Sequence, residues 1–115
     1  NELATEAYYW LPIITVIFNN RNLGMVRQWQ SLIYDHRYSQ TSLENRSPDF
    51  VKFADAFGLK GRRVTQPSEL EEAITEALAE SAQGRGYVID CAINADEMVH
   101  PMVNGGHHIT EFLLS

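Results

Sequence analysis

The sequence has almost no cysteine: Cys91 is the only one among 115 residues. A single cysteine cannot form an internal disulfide, so the composition favours a reducing compartment, either the bacterial cytoplasm or, in a eukaryote, an organelle. Because Cys91 lies in the apolar stretch 87–93, we expect a small buried side chain rather than a nucleophile. No apolar stretch approaches the roughly 20 residues of a membrane span, so no membrane partner is expected.

Basic residues are also scarce. Nine Lys and Arg stand against 15 Asp and Glu, which gives a formal net charge of -6. Because phosphate binding needs clustered Lys and Arg, a nucleic-acid partner is not expected. The adjacent pair Arg62 and Arg63 is interpreted as a solvated strand edge. The 115 residues fit one domain, and the start lacks both Met and a basic leader, so we expect a piece of a longer protein.

Strand and helix patterns alternate along the chain. The stretches 13–18 and 87–93 are rich in β-branched residues and apolar almost throughout, which predicts strands buried on both faces, as in a parallel sheet. A shorter strand is predicted over 60–65. The predicted helices cover 2–10, 23–34, 48–57, 67–83 and, near the end, 109–114. This order predicts an α/β fold of three layers, a mainly parallel sheet with helices on both faces.

Two of these helices have predicted ends and faces. We expect Ser47 to be the N-cap of the third helix, Pro48 to lie in its first turn and Gly58 to end it. The fourth helix is expected to turn its apolar side chains toward the sheet: Leu70, Ala73, Ile74, Ala77 and Leu78. The segments 35–47 and 94–106 lack periodicity and are predicted to be irregular.

Four polar residues, Asn19, Asn20, Arg21 and Asn22, follow the first predicted strand. Ligands of open parallel sheets bind beyond the carboxyl ends of the strands, so these residues could line a binding site. Asn also tolerates tight turns and bonds its own backbone, so the same segment could be an ordinary turn. Taken alone, the segment favours the turn.

A longer stretch, 12–29, resembles the end of the thiamine-diphosphate motif found in the catalytic subunits of acetolactate synthases. That motif begins with Gly-Asp-Gly, which this sequence lacks and which would lie upstream of Asn1. The resemblance continues through 34–38 and 48–58, then through His100-Pro-Met-Val and the following glycine pair, and covers essentially the whole chain. It implies that residues 1–115 are the C-terminal part of a thiamine-diphosphate-binding domain, with 100–115 as a C-terminal arm over the active-site entrance.

The resemblance also implies roles for five residues. Asn20 would give its side-chain oxygen and Asn22 its main-chain carbonyl to a Mg²⁺ ion on the diphosphate, an ion that prefers oxygen ligands. Leu23, Gly24 and Met25 would contact the cofactor, with Gly24 permitting close approach. Met25 would also line the substrate channel. From spacing alone, Met25 and a tryptophan four residues later are more typical of a helix core.

That tryptophan, Trp29, would line the channel and shape the pocket for a second 2-keto acid. The implied enzyme is a transferase of branched-chain amino-acid biosynthesis, which decarboxylates pyruvate and condenses the product with a second 2-keto acid. The resemblance implies thiamine diphosphate and Mg²⁺ here and FAD elsewhere in the parent enzyme. It also implies a second catalytic subunit in a homo-oligomer and allows a small regulatory subunit.

The activating glutamate would lie in another domain, so no catalytic residue is expected within this chain, and the isolated chain is expected to be inactive. Two alternatives stay open. One is a different thiamine-diphosphate carboligase or decarboxylase, although the stretch from Gly24 to Trp29 favours acetolactate synthase. The other is a non-catalytic α/β domain.

His36, His107 and His108 can each be interpreted in two ways. His107 and His108 could suggest a metal site, but adjacent histidines in a tail without a nearby Cys or carboxylate set are more typical of solvated residues. His36 and Arg37 could meet an acidic substrate from a capping loop. A surface ion pair with Asp35 or Glu44 is the slightly favoured alternative.

Overall fold

The computed structural model describes residues 2–113. Three parallel strands form a sheet in the order β1-β3-β2, with bounds β1 (Ile14–Asn19), β2 (Lys60–Val64) and β3 (Tyr87–Ala92). The helices are α1 (Glu2–Tyr9), α2 (Gly24–Leu32), α3 (Phe50–Asp55) and α4 (Leu70–Ser81), and a 3₁₀ turn, Pro67–Glu69, precedes α4. The predicted α/β class with a parallel sheet is confirmed.

Two apolar clusters lie on opposite faces of the sheet, which confirms the three layers. One cluster joins the sheet to α4 and contains Val64, Ala73, Ala77, Tyr87, Ile89 and Cys91. The other joins it to α1 and α3 and contains Ala54, Leu59 and Val88, with Leu3, Ala7, Ile17 and Phe57 packed against it. Strand β3 contributes to both clusters because its side chains alternate between the faces. Cys91 is buried as predicted, and burial raises the pKa of its thiol.

The prediction of strands buried on both faces is correct for β3 and wrong for β1 within the described part of the chain. β1 is an edge strand of the three, and Val16 and Phe18 are 45% and 75% exposed. A similar correction applies to α4. Its small residues Ala73 and Ala77 pack against the sheet, while Leu70, Ile74 and Leu78 are exposed. Close packing of the alanines brings that side of the helix to the sheet and turns the larger side chains away.

Two predicted boundaries are also wrong. The N-cap of α3 is Asp49, whose side chain accepts a hydrogen bond from the Lys52 N–H at 3.1 Å; Ser47 lies before it. The predicted terminal helix is absent from the described part of 109–114. Instead β4 (Met102–Val103) pairs antiparallel with β5 (Phe112–Leu113), and position 114 lies outside the described residues. Gly58 ends α3 as expected, with a φ of 75° that favours glycine.

Basic side chains on β2 are paired rather than solvated, which corrects the interpretation of Arg62 and Arg63. Arg62 donates to Glu72 and Glu76 on α4, each at 2.8 Å, and Arg63 binds Asp90 on β3 at 2.7 Å. The sequence places these arginines next to each other, but alternation along a strand sends them to opposite faces. One therefore holds the α4 layer, and the other faces the layer that contains α1 and α3.

A third ion-pair cluster centres on Glu80, near the end of α4. Its carboxylate accepts from Lys60 on β2 at 2.8 Å and from Arg85 at 2.6 Å. These hydrogen bonds, first from Arg85 and then from Lys60, lower the pKa of Glu80 to about 2. A carboxyl whose pKa is lower in the folded state stabilises the fold above its unfolded pKa and loses that contribution as the pH falls.

Replacing Glu80 with glutamine is therefore expected to lower the free energy of unfolding at pH 7 and to flatten its decline between pH 4.5 and about 2. Urea titrations of the chain at pH 7 and pH 3 measure both effects. The control is Glu71→Gln, on the same helix, since Glu71 forms no ion pair among the described residues. Equal pH dependence in the two variants would contradict a role for the Glu80 cluster in acid stability.

Candidate functional site

The polar segment after β1 forms a tight turn at the carboxyl end of the sheet. The side-chain oxygen of Asn20 accepts a hydrogen bond from the main-chain N–H of Asn22 at 3.0 Å. The side-chain amide of Asn22 donates to the main-chain carbonyl of Asn20 at 2.7 Å. Arg21, between them, has a left-handed φ of 54°. The turn interpretation is thus correct, and it is compatible with ligand binding. The turn holds the side-chain oxygen of Asn20 in place beyond the strand, where ligands of such sheets bind.

The first asparagine of the segment connects this turn to the interior. Asn19 is buried; its amide donates to Asp90 at 2.9 Å, and its side-chain oxygen accepts the N–H of Arg21 at 3.1 Å. Asp90 was not among the residues predicted to have a role. The available signal was an Asp in the middle of an apolar stretch, because a charged group in a buried strand requires a partner.

Gly24, the first residue of α2, lies against the turn. A Cβ atom at this position would lie 3.0 Å from the side-chain nitrogen of Asn20. A larger residue would therefore press on the amide of Asn20, so glycine here keeps that side chain in its observed place. Leu23, just before the helix, is half exposed, and its N–H donates to the Thr41 carbonyl at 2.9 Å. Residues 22 and 42 form a bridge that ties the turn to the 35–47 loop.

Helix α2 turns its polar side inward and its apolar side outward. Gln28 and Ser31 are buried, whereas Met25 and Trp29 are each 45% exposed. The core interpretation of Met25 and Trp29 is therefore wrong for the described part of the chain. A surface that is apolar and exposed next to a polar turn can serve as the wall of a binding site.

The buried side of α2 holds the segment that follows β3. Both polar groups of Gln28 bind the main chain of Val99, its amide donating to the carbonyl and its oxygen accepting the N–H, each at 2.9 Å. Arg27 adds an ion pair with Asp96 at 2.7 Å, and its guanidinium lies 3.9 Å from the centre of the Tyr38 ring. The segment before the predicted arm is thus fixed beside the turn. Closure of 100–115 over an entrance stays a prediction.

The exposed side of α2 forms a groove of about 550 Å³ with the turn that follows it. The lining residues are Val26, Trp29, Gln30, Tyr34 and Arg37. Arg37 donates to the Tyr34 carbonyl at 3.2 Å and forms no ion pair with Asp35 or Glu44 among the described residues. The favoured surface ion pair is therefore wrong, and the groove has a cationic end. Its other walls are largely aromatic and aliphatic.

The pair His107 and His108 builds no metal centre within residues 2–113. His107 and His108 are exposed, and the Nδ1 of His107 lies 2.9 Å from a Glu111 oxygen. No group of three or more His, Cys, Asp or Glu side chains in that range could hold a metal ion. His36 packs edge to face on Tyr38, 6.0 Å between ring centres.

None of the described helices combines the length and apolar character needed to cross a membrane.

The turn offers donors that fit a hard divalent cation. The Asn20 side-chain oxygen and the Asn22 main-chain carbonyl are neutral oxygens, and Mg²⁺ prefers oxygen ligands in an octahedral set of about six. An oxygen that already accepts one hydrogen bond retains a second lone pair for a metal. Two protein donors leave most positions to water, substrate phosphates or residues elsewhere, which is the usual arrangement for Mg²⁺.

Comparison with known families identifies the class of domain. Residues 1–91 match the family described as thiamine pyrophosphate enzyme, C-terminal TPP binding domain. The fold is similar to that of a Rhodococcus jostii RHA1 thiamine diphosphate-dependent 4-hydroxybenzoylformate decarboxylase, with a TM-score of 0.69 and 25% identity over 84% of this chain and 17% of the other. The chain therefore belongs to the thiamine-pyrophosphate-dependent enzymes, and residues 1–91 match their C-terminal TPP-binding domain.

Within that class, curated sequences similar to this chain include acetolactate synthases. The isozyme 3 large subunit of Escherichia coli is 41% identical over 99% of this chain and 20% of its own length. The acetolactate synthase of Mycobacterium leprae is 47% identical over 91% of this chain and 17% of its own length. The chain thus spans about a fifth of the curated relatives that it matches.

Proposed function

We propose that the chain is part of an acetolactate synthase catalytic subunit and binds the Mg²⁺-diphosphate end of the cofactor. The observation that supports this most directly is the turn at Asn20 and Asn22, which offers neutral oxygens beyond a parallel strand. Identity above 40% to acetolactate synthase large subunits favours this enzyme over the decarboxylase with the similar fold.

In this proposal each part of the site has a separate task. Asn20 and Asn22 hold the metal, while Leu23, Gly24 and Met25 contact the cofactor. Bound thiamine diphosphate supplies the chemistry that decarboxylates one 2-keto acid and joins the remaining fragment to a second. Met25 and Trp29 line the channel by which the second acid arrives, which agrees with their exposure beside the turn.

The complete enzyme would also contain parts that this chain does not supply. These are a carboxylate ligand for Mg²⁺, the glutamate that activates the cofactor, an FAD site in another domain, a second catalytic subunit and, in some enzymes, a small regulatory subunit. Without the carboxylate the chain offers the metal no charged ligand, and without the glutamate the cofactor is not activated. The isolated chain is therefore expected to form no acetolactate from pyruvate.

The experiment compares the 115-residue chain with the complete product of the gene that encodes it. Each is purified and supplied with pyruvate, thiamine diphosphate, Mg²⁺ and FAD, and acetolactate is measured. We expect formation by the complete product, lost when Mg²⁺ is chelated, and none by the chain. Acetaldehyde without acetolactate would instead favour a decarboxylase. No thiamine-diphosphate-dependent turnover at all would favour a non-catalytic domain.

Substitution of Trp29 tests the channel. In the complete product, Trp29→Leu is expected to reduce the preference for a longer 2-keto acid over a second pyruvate by about tenfold, because an apolar wall discriminates a methylene by roughly this amount. The preference is measured as a product ratio with both acids present. Tyr8→Leu, which changes an exposed aromatic residue outside the groove, is the control. Equal product ratios in both variants would exclude Trp29 from the channel wall.

A further inference from the structure

A buried carboxylate joins all three strands of the sheet close to the metal-binding turn. Asp90 lies on the central strand and is 0% exposed. One of its oxygens accepts two hydrogen bonds from Arg63 on β2, at 3.0 and 2.7 Å, and the other accepts from the amide of Asn19 on β1, at 2.9 Å. Each neighbouring strand thus contributes one partner to the same side chain.

Asn19 connects this carboxylate to the turn. An ionised carboxylate only accepts hydrogen bonds, so Asn19 must direct its NH₂ group to Asp90. Its oxygen then faces the turn, where it accepts the N–H of Arg21 at 3.1 Å. That bond holds the main chain at the one residue of the turn with a left-handed φ. The orientation of one amide therefore links the interior of the sheet to the conformation of residues 20–22.

A neutral side chain at position 90 could not do the same. An asparagine there would offer one oxygen and one NH₂ group. Its NH₂ group would then face another hydrogen-bond donor, either the guanidinium of Arg63 or the amide NH₂ of Asn19. The negative charge is also balanced by Arg63, without which a fully buried carboxylate would be strongly unfavourable. The two acceptor oxygens and the negative charge therefore require an acid at position 90, although position 90 lies outside the turn.

We propose that Asp90, held by Arg63, is a positioning residue that sets the metal-binding turn through Asn19. The proposal rests on the proposed function of Asn20 and Asn22 as metal ligands. Removing a group that hydrogen-bonds to metal ligands and orients them typically lowers metal affinity by about 10–100-fold. A purely structural ion pair would instead affect stability and leave metal affinity unchanged.

The test measures acetolactate formation by the complete gene product as a function of Mg²⁺ concentration at saturating thiamine diphosphate. Asp90→Asn and Asn19→Ala are each expected to raise the half-activating Mg²⁺ concentration by about 10–100-fold, with kcat largely recovered at saturating Mg²⁺. The double variant should show no larger shift than the stronger single variant, because both changes interrupt one connection. Asn19→Ala leaves the Arg63–Asp90 ion pair intact, so an unchanged Mg²⁺ requirement in this variant can still refute the proposal if Asp90→Asn does not fold.

The matched control is Arg62→Gln, which removes a paired arginine from the same strand without touching the connection to the turn. It should lower stability without changing the half-activating Mg²⁺ concentration. An unchanged Mg²⁺ requirement in Asn19→Ala would overturn the proposal. Asn20→Ala is measured in parallel. If it too leaves the Mg²⁺ requirement unchanged, the proposed function itself fails; if only Asn20→Ala shifts it, the role of Asp90 alone is wrong.

Discussion

Replacing Asn20 with alanine is expected to reduce Mg²⁺-dependent acetolactate formation by the complete gene product by about 100-fold or more at a fixed, subsaturating Mg²⁺ concentration. The change deletes a proposed ligand oxygen, so the loss should exceed the roughly 10–100-fold typical of groups that only orient ligands. It also deletes the acceptor for the Asn22 N–H, which bonds the Asn20 side chain at 3.0 Å. The turn then loses the contact that sets the position of the second ligand.

Two further variants separate these effects. Asn22→Ala keeps the main-chain carbonyl and loses only the 2.7 Å bond to the Asn20 carbonyl, so we expect a smaller loss, below about tenfold. Asn20→Asp keeps a side-chain oxygen for the metal and should retain much of the Mg²⁺-dependent rate that alanine loses. Rates are measured over a range of Mg²⁺ concentrations. A wild-type Mg²⁺ dependence in Asn20→Ala would show that the metal binds elsewhere.

The elements with clear local signals were predictable from the sequence. A continuous apolar stretch identified β3 as a buried strand, and Gly58 marked the end of α3 because its left-handed conformation is accessible to glycine. Caps were less certain, because Ser47 and Asp49 are both good N-cap residues and only the observed bond to Lys52 distinguishes them. The final hairpin depends on pairing of two-residue strands, which no periodic pattern can indicate.

The place of the turn residues in the fold was predictable from the sequence, but their hydrogen-bond partners were not. The turn residues follow a strand directly, so their place at the carboxyl end of the sheet follows from the fold class. The bonds that fix them join distant parts of the chain. Asn19 and Asp90 are separated by 71 positions, as are Gln28 and Val99. The apolar neighbours of Asp90 indicate a buried carboxylate that needs a partner, but nothing in the local sequence says which distant residue that partner is.

The apolar positions of β1 and α2 show a second limit. Residues such as Val16, Phe18 and Trp29 were identified as apolar, but apolar character alone does not say which protein surface covers a side chain. The sequence pattern of α2 suggested a core face, whereas the buried side is the one with Gln28 and Ser31. The hydrogen bonds of Gln28 to Val99 stabilise that orientation, because a buried amide with both groups bonded costs little free energy.

The same substitution, valine to alanine, can be compared at a buried position on β3 and at an exposed position on β1. Val88 is 1% exposed on the central strand, and Val16 is 45% exposed on the edge strand. Val88→Ala removes two methyl groups from the packed cluster with Ala54 and Leu59, so the free energy of unfolding of the chain should fall by about 2–3 kcal/mol. Val16→Ala should cost below about 1 kcal/mol, because its methyl groups are already half in water.

Urea titrations of the two variants and the wild-type chain give these free energies directly. The slopes of the titrations should agree within error, since neither change alters the extent of the folded sheet, and the midpoints should therefore rank the variants. A loss as large for Val16→Ala as for Val88→Ala would contradict the exposed position of β1 in the isolated chain. Such a loss would mean that the sheet edge next to Val16 is covered, either by another copy of the chain or by a different arrangement of strands. If another copy covers it, the loss of free energy should depend on protein concentration.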